Sequence, residues 1–322
     1  KLWSLSMRND AFNDIAAIQK RYRSCFSREL RKAIENIGQH IKMEIERIDP
    51  NVASKKISLS SRIYHGLNKT INSIADKTER GEIDPFIKFR TRKYSEEPES
   101  KKQRLYVAER PLRVGYLPLA ANPLNWGHIL VALKAINVLS LDMLIFRVHG
   151  EIKYKDVAEM DRIPVKHRHE MVKAAIKNFY PLMRYTDLGS EPNNEREGFV
   201  DMMNLLDMNT GRRVDMIYLL GVENEKRVRE YTQQFNRLFK QNRRRFNPDH
   251  KVSIGWIQRG EYGAQLTQEK LDRISYTNAR KVGQYRPLRA IVIRDNAIDL
   301  GISSTLYRKS HDAAFVPNAI DV

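Results

Sequence analysis

From Leu112 onward, short apolar runs alternate with amphipathic helical patterns, and this alternation constrains the fold more than any other feature. Chains of this kind bury a parallel sheet between helices on both faces. We predict α/β architecture with a doubly wound, mostly parallel sheet. The predicted strands span 113–119, 141–148, 214–221, 252–258 and 288–293, and the predicted helices span 126–138, 165–178 and 223–240, with another from Thr305. Ligands of such sheets bind beyond the carboxyl ends of the strands.

The first 110 residues have a different pattern. Apolar residues recur every three or four positions over 9–48, up to Asp49-Pro50, and again over 59–74, up to Arg80-Gly81. Proline and glycine end helices at such places. A polar, charged stretch follows over 88–110. We therefore predict an α-helical N-terminal region over 1–110, a helical hairpin plus charged linker, and an α/β domain over 111–322. Self-association through these helices is an open alternative.

Charge and composition narrow the class of partner. The chain of 322 residues has a formal net charge of +18, which favours polyanionic partners such as nucleic acid or phosphorylated small molecules. The single cysteine, Cys25, excludes an intramolecular disulfide framework. The most apolar stretch, 114–148, is interrupted by polar residues, so no membrane span is expected. No secretory signal opens the chain, and we expect a cytoplasmic protein.

Two polar motifs follow the first and last predicted strands. Asn125, Gly127 and His128 begin a helix after the first strand, where free N–H groups and the helix dipole favour anions. Ser303, Ser304 and Thr305 begin another after the last strand, with Arg308 one turn further on. Each motif alone is typical of an ordinary capped helix. Together, at one sheet edge, they predict a phosphate-binding site.

These motifs resemble those of the nucleotidylyltransferase superfamily, most closely the nicotinate mononucleotide adenylyltransferases. Asn125-Trp126-Gly127-His128 is similar to the family's (H/T)xGH, and Ile302 to Arg308 is similar to its ISSTxxR. The segment His167 to Ile176 resembles a family helix, and Tyr218 to Glu223 resembles a strand ending in GxD. The resemblance extends over about 112–322. It implies a Rossmann-like fold.

The resemblance also implies a reaction and its residues. A phosphate of the acceptor would attack the α-phosphorus of ATP, and pyrophosphate would leave. His128 would stabilise the α-phosphate, and Arg308 would bind the β- and γ-phosphates. Mg²⁺ would be held mainly by ATP phosphates and water, with no metal site on the protein. The ATP-binding residues implied by the family are Ala120, Asn125, Gly127, His128, Gly221, Glu223, Ser303, Ser304, Thr305 and Arg308.

The acceptor is less sharply indicated. The family's Gly-Gly-Thr-Phe loop is replaced here by Pro118-Leu119-Ala120-Ala121, and its tryptophan after GxD has no counterpart. His149, Lys153 and Lys155 follow the second strand and are candidates for contacting an acceptor phosphate. Nicotinate mononucleotide is the favoured acceptor, which places the reaction in NAD biosynthesis. The alternatives are another phosphorylated acceptor, or a non-catalytic relative that binds nucleotides or nucleic acid, since a basic cluster spans 237–245.

Overall fold

The structure is a computed structural model with a six-stranded, all-parallel sheet at its centre. It describes residues 59–87, 89–91, 110–150, 162–189, 198–222, 224–242, 247–258, 266–283 and 287–294, together with seven separate residues between 32 and 46. The strand order is β3-β2-β1-β4-β5-β6. This is the order of doubly wound dinucleotide-binding folds. The prediction of an α/β parallel sheet is confirmed.

The described elements follow one another as strand, helix, strand. The strands are β1 (Leu112–Leu119), β2 (Met143–Val148), β3 (Met183–Thr186), β4 (Val214–Val222), β5 (Lys251–Gln258) and β6 (Arg289–Ile293). The helices are α1 (Leu59–Glu79), α2 (Trp126–Leu139), α3 (Val165–Ile176), α4 (Gly198–Asp207), α5 (Glu225–Asn242) and α6 (Gln268–Lys281). The helices predicted over 9–48 and from Thr305 lie outside the described residues, apart from the few helical positions between 32 and 46.

Alternate side chains of each strand build a hydrophobic core on each face of the sheet. On β1, Leu117 and Leu119 point to the first face, which α1, α2 and α3 cover. Val114 and Tyr116 point to the second face, which α4, α5 and α6 cover. Helices on both faces bury most residues of the strands, which explains their near-continuous apolar sequences.

Three described elements were not predicted, because their patterns are weak. Strand β3 has only four residues and reads Met-Arg-Tyr-Thr. Helix α4 has only ten residues and is buried around most of its circumference. Helix α6 is mostly polar, with Leu271 and Ile274 as its main buried anchors. None of the described helices combines the length and apolar character that crossing a membrane requires.

The N-terminal segment packs into both cores. Ile71 and Ile74 of α1 are buried in the first-face core, whereas Ile87 and Phe89 are buried in the second. Arg184 of β3 anchors the part of this segment that follows α1. Its guanidinium donates to the carbonyl oxygens of Pro85 (2.8 Å), Ile87 (3.1 Å) and Phe89 (3.3 Å). This segment therefore completes the folded core, and the boundary near Arg110 stays a prediction.

The buried carboxylate of Asp142 joins this segment to the sheet. It accepts two hydrogen bonds from the Arg110 guanidinium (2.6 and 2.8 Å) and one each from the backbone N–H groups of Asp84 (2.8 Å) and Arg113 (2.9 Å). Its side chain is fully buried. A carboxylate in this position is tolerated only because four donors satisfy it.

Replacing Asp142 with Asn should lower the free energy of unfolding by about 2–4 kcal/mol, because the guanidinium loses its counter-charge and an amide NH₂ faces donors. Urea unfolding measures this. The matched control is Asp272→Asn, since Asp272 is exposed and accepts only from Gln268 in the described region; it should change stability by no more than about 0.5 kcal/mol. Equal effects of the two substitutions would contradict the role assigned to Asp142.

His169 on α3 gives the fold a pH dependence. Its ring is buried beside Tyr185, whose hydroxyl bonds Nδ1, and burial lowers the pKa of His169 to about 4, with Arg168 and Lys173 adding to the shift. Because the unfolded chain takes up this proton more readily, the stability contributed by neutral His169 is complete above about pH 6.5 and declines toward pH 4. Urea midpoints between pH 7.5 and 4.5 should therefore fall less steeply for His169→Gln. Parallel curves would contradict this account.

Candidate functional site

The candidate site lies where the sheet reverses its winding, at the carboxyl ends of β1 and β4. These strands are neighbours in the sheet. The chain leaves β1 toward α2 on the first face and leaves β4 toward α5 on the second, so the connections diverge and leave a crevice. Crevices at such points are where parallel α/β folds bind ligands.

The loop after β1 is held by side chains from the entrance of α3. The buried guanidinium of Arg168 donates to the carbonyl oxygens of Ala120 (2.6 Å), His149 (2.8 Å), Gly150 and Ile163 (3.0 Å). The amide oxygen of Asn122 accepts from the N–H of Ile163 (2.8 Å). The loops that follow β1 and β2 are thereby fixed to one another.

Helix α2 begins with a reciprocal cap between Asn125 and His128. The Asn125 side chain accepts from the His128 backbone N–H (3.3 Å), and His128 Nδ1 accepts from the Asn125 backbone N–H (3.2 Å). This is a capping box in which histidine replaces the usual Glu or Gln. The first turn contains no acidic residue, so the positive end of the helix dipole is not neutralised from within the turn.

The cap decides which ring nitrogen of His128 carries the proton. Because Nδ1 accepts a hydrogen bond, the neutral ring is protonated at Nε2 and presents an N–H donor there. The side chain is half-buried at the helix start. His128 can therefore donate to an anion at the helix N-terminus without first becoming charged.

A second histidine is oriented in the same way after β2. The guanidinium of Arg147 lies 2.6 Å from His149 Nδ1. Since arginine only donates, His149 Nδ1 accepts, and its neutral ring is also protonated at Nε2. Arg147 is itself fixed by Asp201 of α4, with Nε at 3.0 Å and Nη2 at 2.5 Å from Oδ2, and both side chains are 1% exposed. Gly189 leaves room for this arginine, because a Cβ there would lie 2.6 Å from Nη2.

Two tyrosines line the buried side of this ion pair. The Tyr116 and Tyr218 rings lie 5.3 Å apart between centroids, on paired positions of β1 and β4. The Tyr116 hydroxyl is buried, and burial holds its pKa well above the usual value. Tyr116 therefore lies beside the Arg147–Asp201 ion pair as an uncharged side chain and does not act as an acid or base near neutral pH.

The structure brings six of the predicted site residues to one sheet edge. Ala120, Asn125, Gly127 and His128 follow β1, His149 follows β2, and the exposed Gly221 lies at the end of β4. The predicted residues that lie outside the described part of the chain are Lys153, Lys155, Glu223, Ser303, Ser304, Thr305 and Arg308. Whether His128 and Arg308 meet stays a prediction.

Sequence reasoning missed the side chains that support the site. Arg147 interrupts the apolar run Leu-Ile-Phe-Arg-Val of β2, and a charge inside a buried strand is itself a signal that a buried partner exists. Arg168 lies in the segment His167 to Ile176 that resembles a family helix, but its contacts, like those of Asp201, are formed only in the folded chain. Among the described residues, no group of three or more His, Cys, Asp or Glu side chains is arranged to hold a metal ion.

Comparisons with known proteins agree with the resemblance seen in the motifs. No family model matches the chain. A curated protein of Clostridium botulinum (strain Alaska E43 / Type E3), a probable nicotinate-nucleotide adenylyltransferase, is 27% identical over 113 residues. The match covers 34% of this chain and 52% of that protein, so the chain spans about half the length of the curated relative it matches.

Two solved structures of Plasmodium falciparum nicotinic acid mononucleotide adenylyltransferase are also similar. The complex with NaAD is 14% identical with a TM-score of 0.41, and the match covers 61% of this chain and 82% of that one. The complex with APC is 15% identical with a TM-score of 0.39, covering 65% and 92%. The likeness to the nucleotidylyltransferase superfamily, and to nicotinate mononucleotide adenylyltransferases within it, is confirmed by the sequence match.

Replacing Arg147 with Met should lower the free energy of unfolding by about 3–5 kcal/mol, because Asp201 loses its arginine while staying buried. The double variant Arg147→Met/Asp201→Leu removes both charges and should recover most of this loss. Urea unfolding of the parent and both variants measures the difference. If the double variant is as unstable as the single one, the ion pair is not the reason for the loss.

Proposed function

We propose that this chain is an adenylyltransferase that transfers AMP from ATP to a phosphorylated acceptor, with nicotinate mononucleotide as the favoured acceptor. The observation that carries the proposal is the pair of oriented histidines at one sheet edge. His128 and His149 each have Nδ1 occupied by an N–H donor, so each offers an Nε2–H donor when neutral. Two fixed donors suit a reaction that joins two phosphate groups.

The ATP half of the site is built around the start of α2. Its N-terminal N–H groups and dipole attract the α-phosphate, and His128 donates to the oxygen on which negative charge grows as the new bond forms. The cap from Asn125 fixes the ring beforehand, so little reorganisation is needed. Gly221 at the end of β4 leaves space for the nucleoside. From the sequence resemblance we assign Glu223 to the ribose, and Ser303, Ser304, Thr305 and Arg308 to the remaining phosphates.

The acceptor half follows β2. His149 is held by Arg147 and Asp201, and its backbone N–H donates to the Leu119 carbonyl at 2.9 Å, which ties it to the loop that precedes α2. A donor fixed in this way orients the acceptor phosphate for in-line attack on the α-phosphorus. The P–O bond to the acceptor forms as the bond to pyrophosphate breaks. Lys153 and Lys155 are further candidates for the same phosphate.

The mechanism requires positioning and charge stabilisation, and no covalent enzyme intermediate. Mg²⁺ bound to the ATP phosphates would supply further neutralisation of the charge on the leaving pyrophosphate.

The choice of acceptor is supported by the curated relative, whose name is that of a nicotinate-nucleotide adenylyltransferase. The superfamily resemblance leaves other phosphorylated acceptors open, such as 4′-phosphopantetheine or a sugar phosphate. A chain that binds nucleotides without turning them over is the remaining alternative. Pyrophosphate release with ATP and each acceptor in turn separates these cases directly.

In this assay the parent chain should release pyrophosphate with nicotinate mononucleotide, and His128→Ala should lower kcat by at least about 10²-fold, since it removes a donor to the transition-state charge. The substitution also weakens the cap of α2. Thr267→Ala is the matched control: Thr267 caps α6 through its Oγ, which accepts from the Lys270 N–H at 3.2 Å, far along the chain from the site. Each substitution should cost about 1 kcal/mol of stability, but only His128→Ala should lose turnover.

Two outcomes contradict the proposal. Turnover that is unchanged in His128→Ala removes this histidine from the mechanism. No pyrophosphate release by the folded parent with any acceptor, combined with measurable ATP binding, assigns the chain to the non-catalytic alternative.

A further inference from the structure

We propose that the amino edge of the sheet is a nucleic-acid-binding surface that contacts the phosphate backbone. The surface, called here the basic edge, consists of six exposed cations on β4, β5, β6, α5 and α6 or directly before them: Arg213, Arg237, Lys251, Arg280, Lys281 and Arg289. It lies at the opposite end of the strands from the candidate site, and the proposed reaction does not use it.

Parallel strands bring three of these cations together. Arg213 directly precedes β4, Lys251 begins β5 and Arg289 begins β6. The register pairs Asp215 with Lys251 and Ser253 with Arg289, so each of these cations lies two residues further toward the carboxyl edge than the cation on the preceding strand. Because neighbouring strands are about 4.8 Å apart and each residue advances about 3.3 Å along a strand, the Cα atoms of adjacent cations lie about 8 Å apart, in a diagonal row across the edge.

The helices on the second face add the other three. Helices α5 and α6 run back from the carboxyl edge to the amino edge, so their last turns arrive beside the strand starts. The two ends touch, because Lys240 Nζ donates to the carbonyl oxygen of Val282 at 2.9 Å. Arg237, Arg280 and Lys281 are thereby joined to the strand cations in one surface. In the sequence, Arg243-Arg244-Arg245 follow α5 directly.

The charges at the two ends of these helices are arranged differently. In the first turns, Arg229 pairs with Glu225 (2.6 Å), Lys270 with Glu225 (2.6 Å) and Arg273 with Glu269 (3.2 Å). None of the six cations of the basic edge forms an ion pair with a carboxylate of the described residues. Positive charge is thus paired with carboxylates at short range toward the candidate site. At the amino edge the six cations have no such short pair among the described residues, and the charges of Arg289 and Lys251 act on the nearby Asp215 carboxylate.

The helix dipole explains only part of this arrangement. Cations in the last turn of a helix are favoured by its negative end, which accounts for Arg280 and Lys281. It does not account for Arg213, Lys251 and Arg289, which precede or begin strands. The acidic residues described near this edge are Asp207, Asp215 and Asp249, half as many as the cations of the surface. The surplus is therefore a property of the edge and not of one helix.

The side chains beside the charges favour nucleic acid over a membrane. Tyr276 is 54% exposed on α6, and the guanidinium of Arg280 lies 5.7 Å from its ring centroid. Exposed aromatic rings beside arginine stack on nucleic-acid bases. No Leu, Ile, Val, Met, Phe or Trp side chain is exposed on the described residues of α5, α6 or strands β4 to β6, so nothing on this surface would insert into a bilayer.

The test measures binding of a fluorescent single-stranded RNA and DNA of about 20 nucleotides, longer than one such site, over a series of salt concentrations. One variant neutralises four cations of the basic edge, and a matched control removes the same number of charges from the first turns of the same helices. The basic-edge variant carries Arg237→Gln, Arg280→Gln, Lys281→Gln and Arg289→Gln. The control carries Lys226→Gln, Arg229→Gln, Lys270→Gln and Arg273→Gln.

The parent should bind with a strong salt dependence. The basic-edge variant should lose at least about tenfold in affinity and about 2–3 units of the slope of log K against log salt, because each phosphate contact contributes about 0.7. The control should keep the slope of the parent, and so should His128→Ala, since the candidate site is not involved. Circular dichroism and thermal midpoints check that both variants are folded, and single substitutions at Arg280 and Lys281 repeat the test one charge at a time.

Several results would overturn the proposal. Equal losses in the two four-residue variants would show that only net charge matters. Loss of binding in His128→Ala would locate the nucleic acid at the candidate site. Binding to phosphatidylserine vesicles but not to either oligonucleotide would make the surface a membrane contact. None of these outcomes bears on pyrophosphate release, so the proposed reaction and the proposed surface fail independently.

Discussion

The candidate site depends on one buried guanidinium, that of Arg168. Four carbonyl oxygens surround it, from the loops after β1 and β2 and from the entrance of α3. A buried charge without such partners would be very costly, so the arginine and the loops require one another. Arginine suits this position because its planar fork reaches several acceptors in fixed directions. His149 stands on one of the loops that it joins and His128 in the helix turn that follows the other, so their separation is set by the fold.

Much of the architecture could be predicted because the strands and helices of this fold have recognisable apolar patterns in the sequence. Strands β1, β2, β4 and β5 are largely buried on both faces and stand out as apolar runs, β6 is a partly buried apolar run, and α2 begins at Trp126 as predicted. Two elements discussed above were not predicted. Strand β3 is a short edge strand, and helix α4 is short and buried around most of its circumference. Phe89, inside the polar stretch over 88–110, is a core residue together with Ile87 just before it. Which core a segment joins depends on long-range packing.

The candidate site was half predictable for a different reason. Asn125, Gly127 and His128 form a local motif, and a helix start after a strand can be recognised from consecutive residues. The partner of Asp201 is Arg147, 54 positions away in the chain, and the pair is created only when α4 packs on β2. The spacing of Arg147 and Asp201 along the chain does not indicate that the two side chains form a pair. Sequence patterns identify groups that touch a ligand more readily than the groups that orient them, since the latter are defined by tertiary contacts.

The loop before α2 has no glycine where the family that the chain resembles has a Gly-Gly-Thr-Phe loop. Ala121 adopts a left-handed conformation with φ of +49°, which costs a non-glycine residue about 1–2 kcal/mol. Such a conformation persists only where the surroundings fix it. Here Arg168 holds the carbonyl of Ala120, and the amide of Asn122 is tied to Ile163. Glycine makes a tight turn by removing the steric cost, whereas this chain makes it by anchoring both neighbours of Ala121, and the shape of the turn no longer requires glycine.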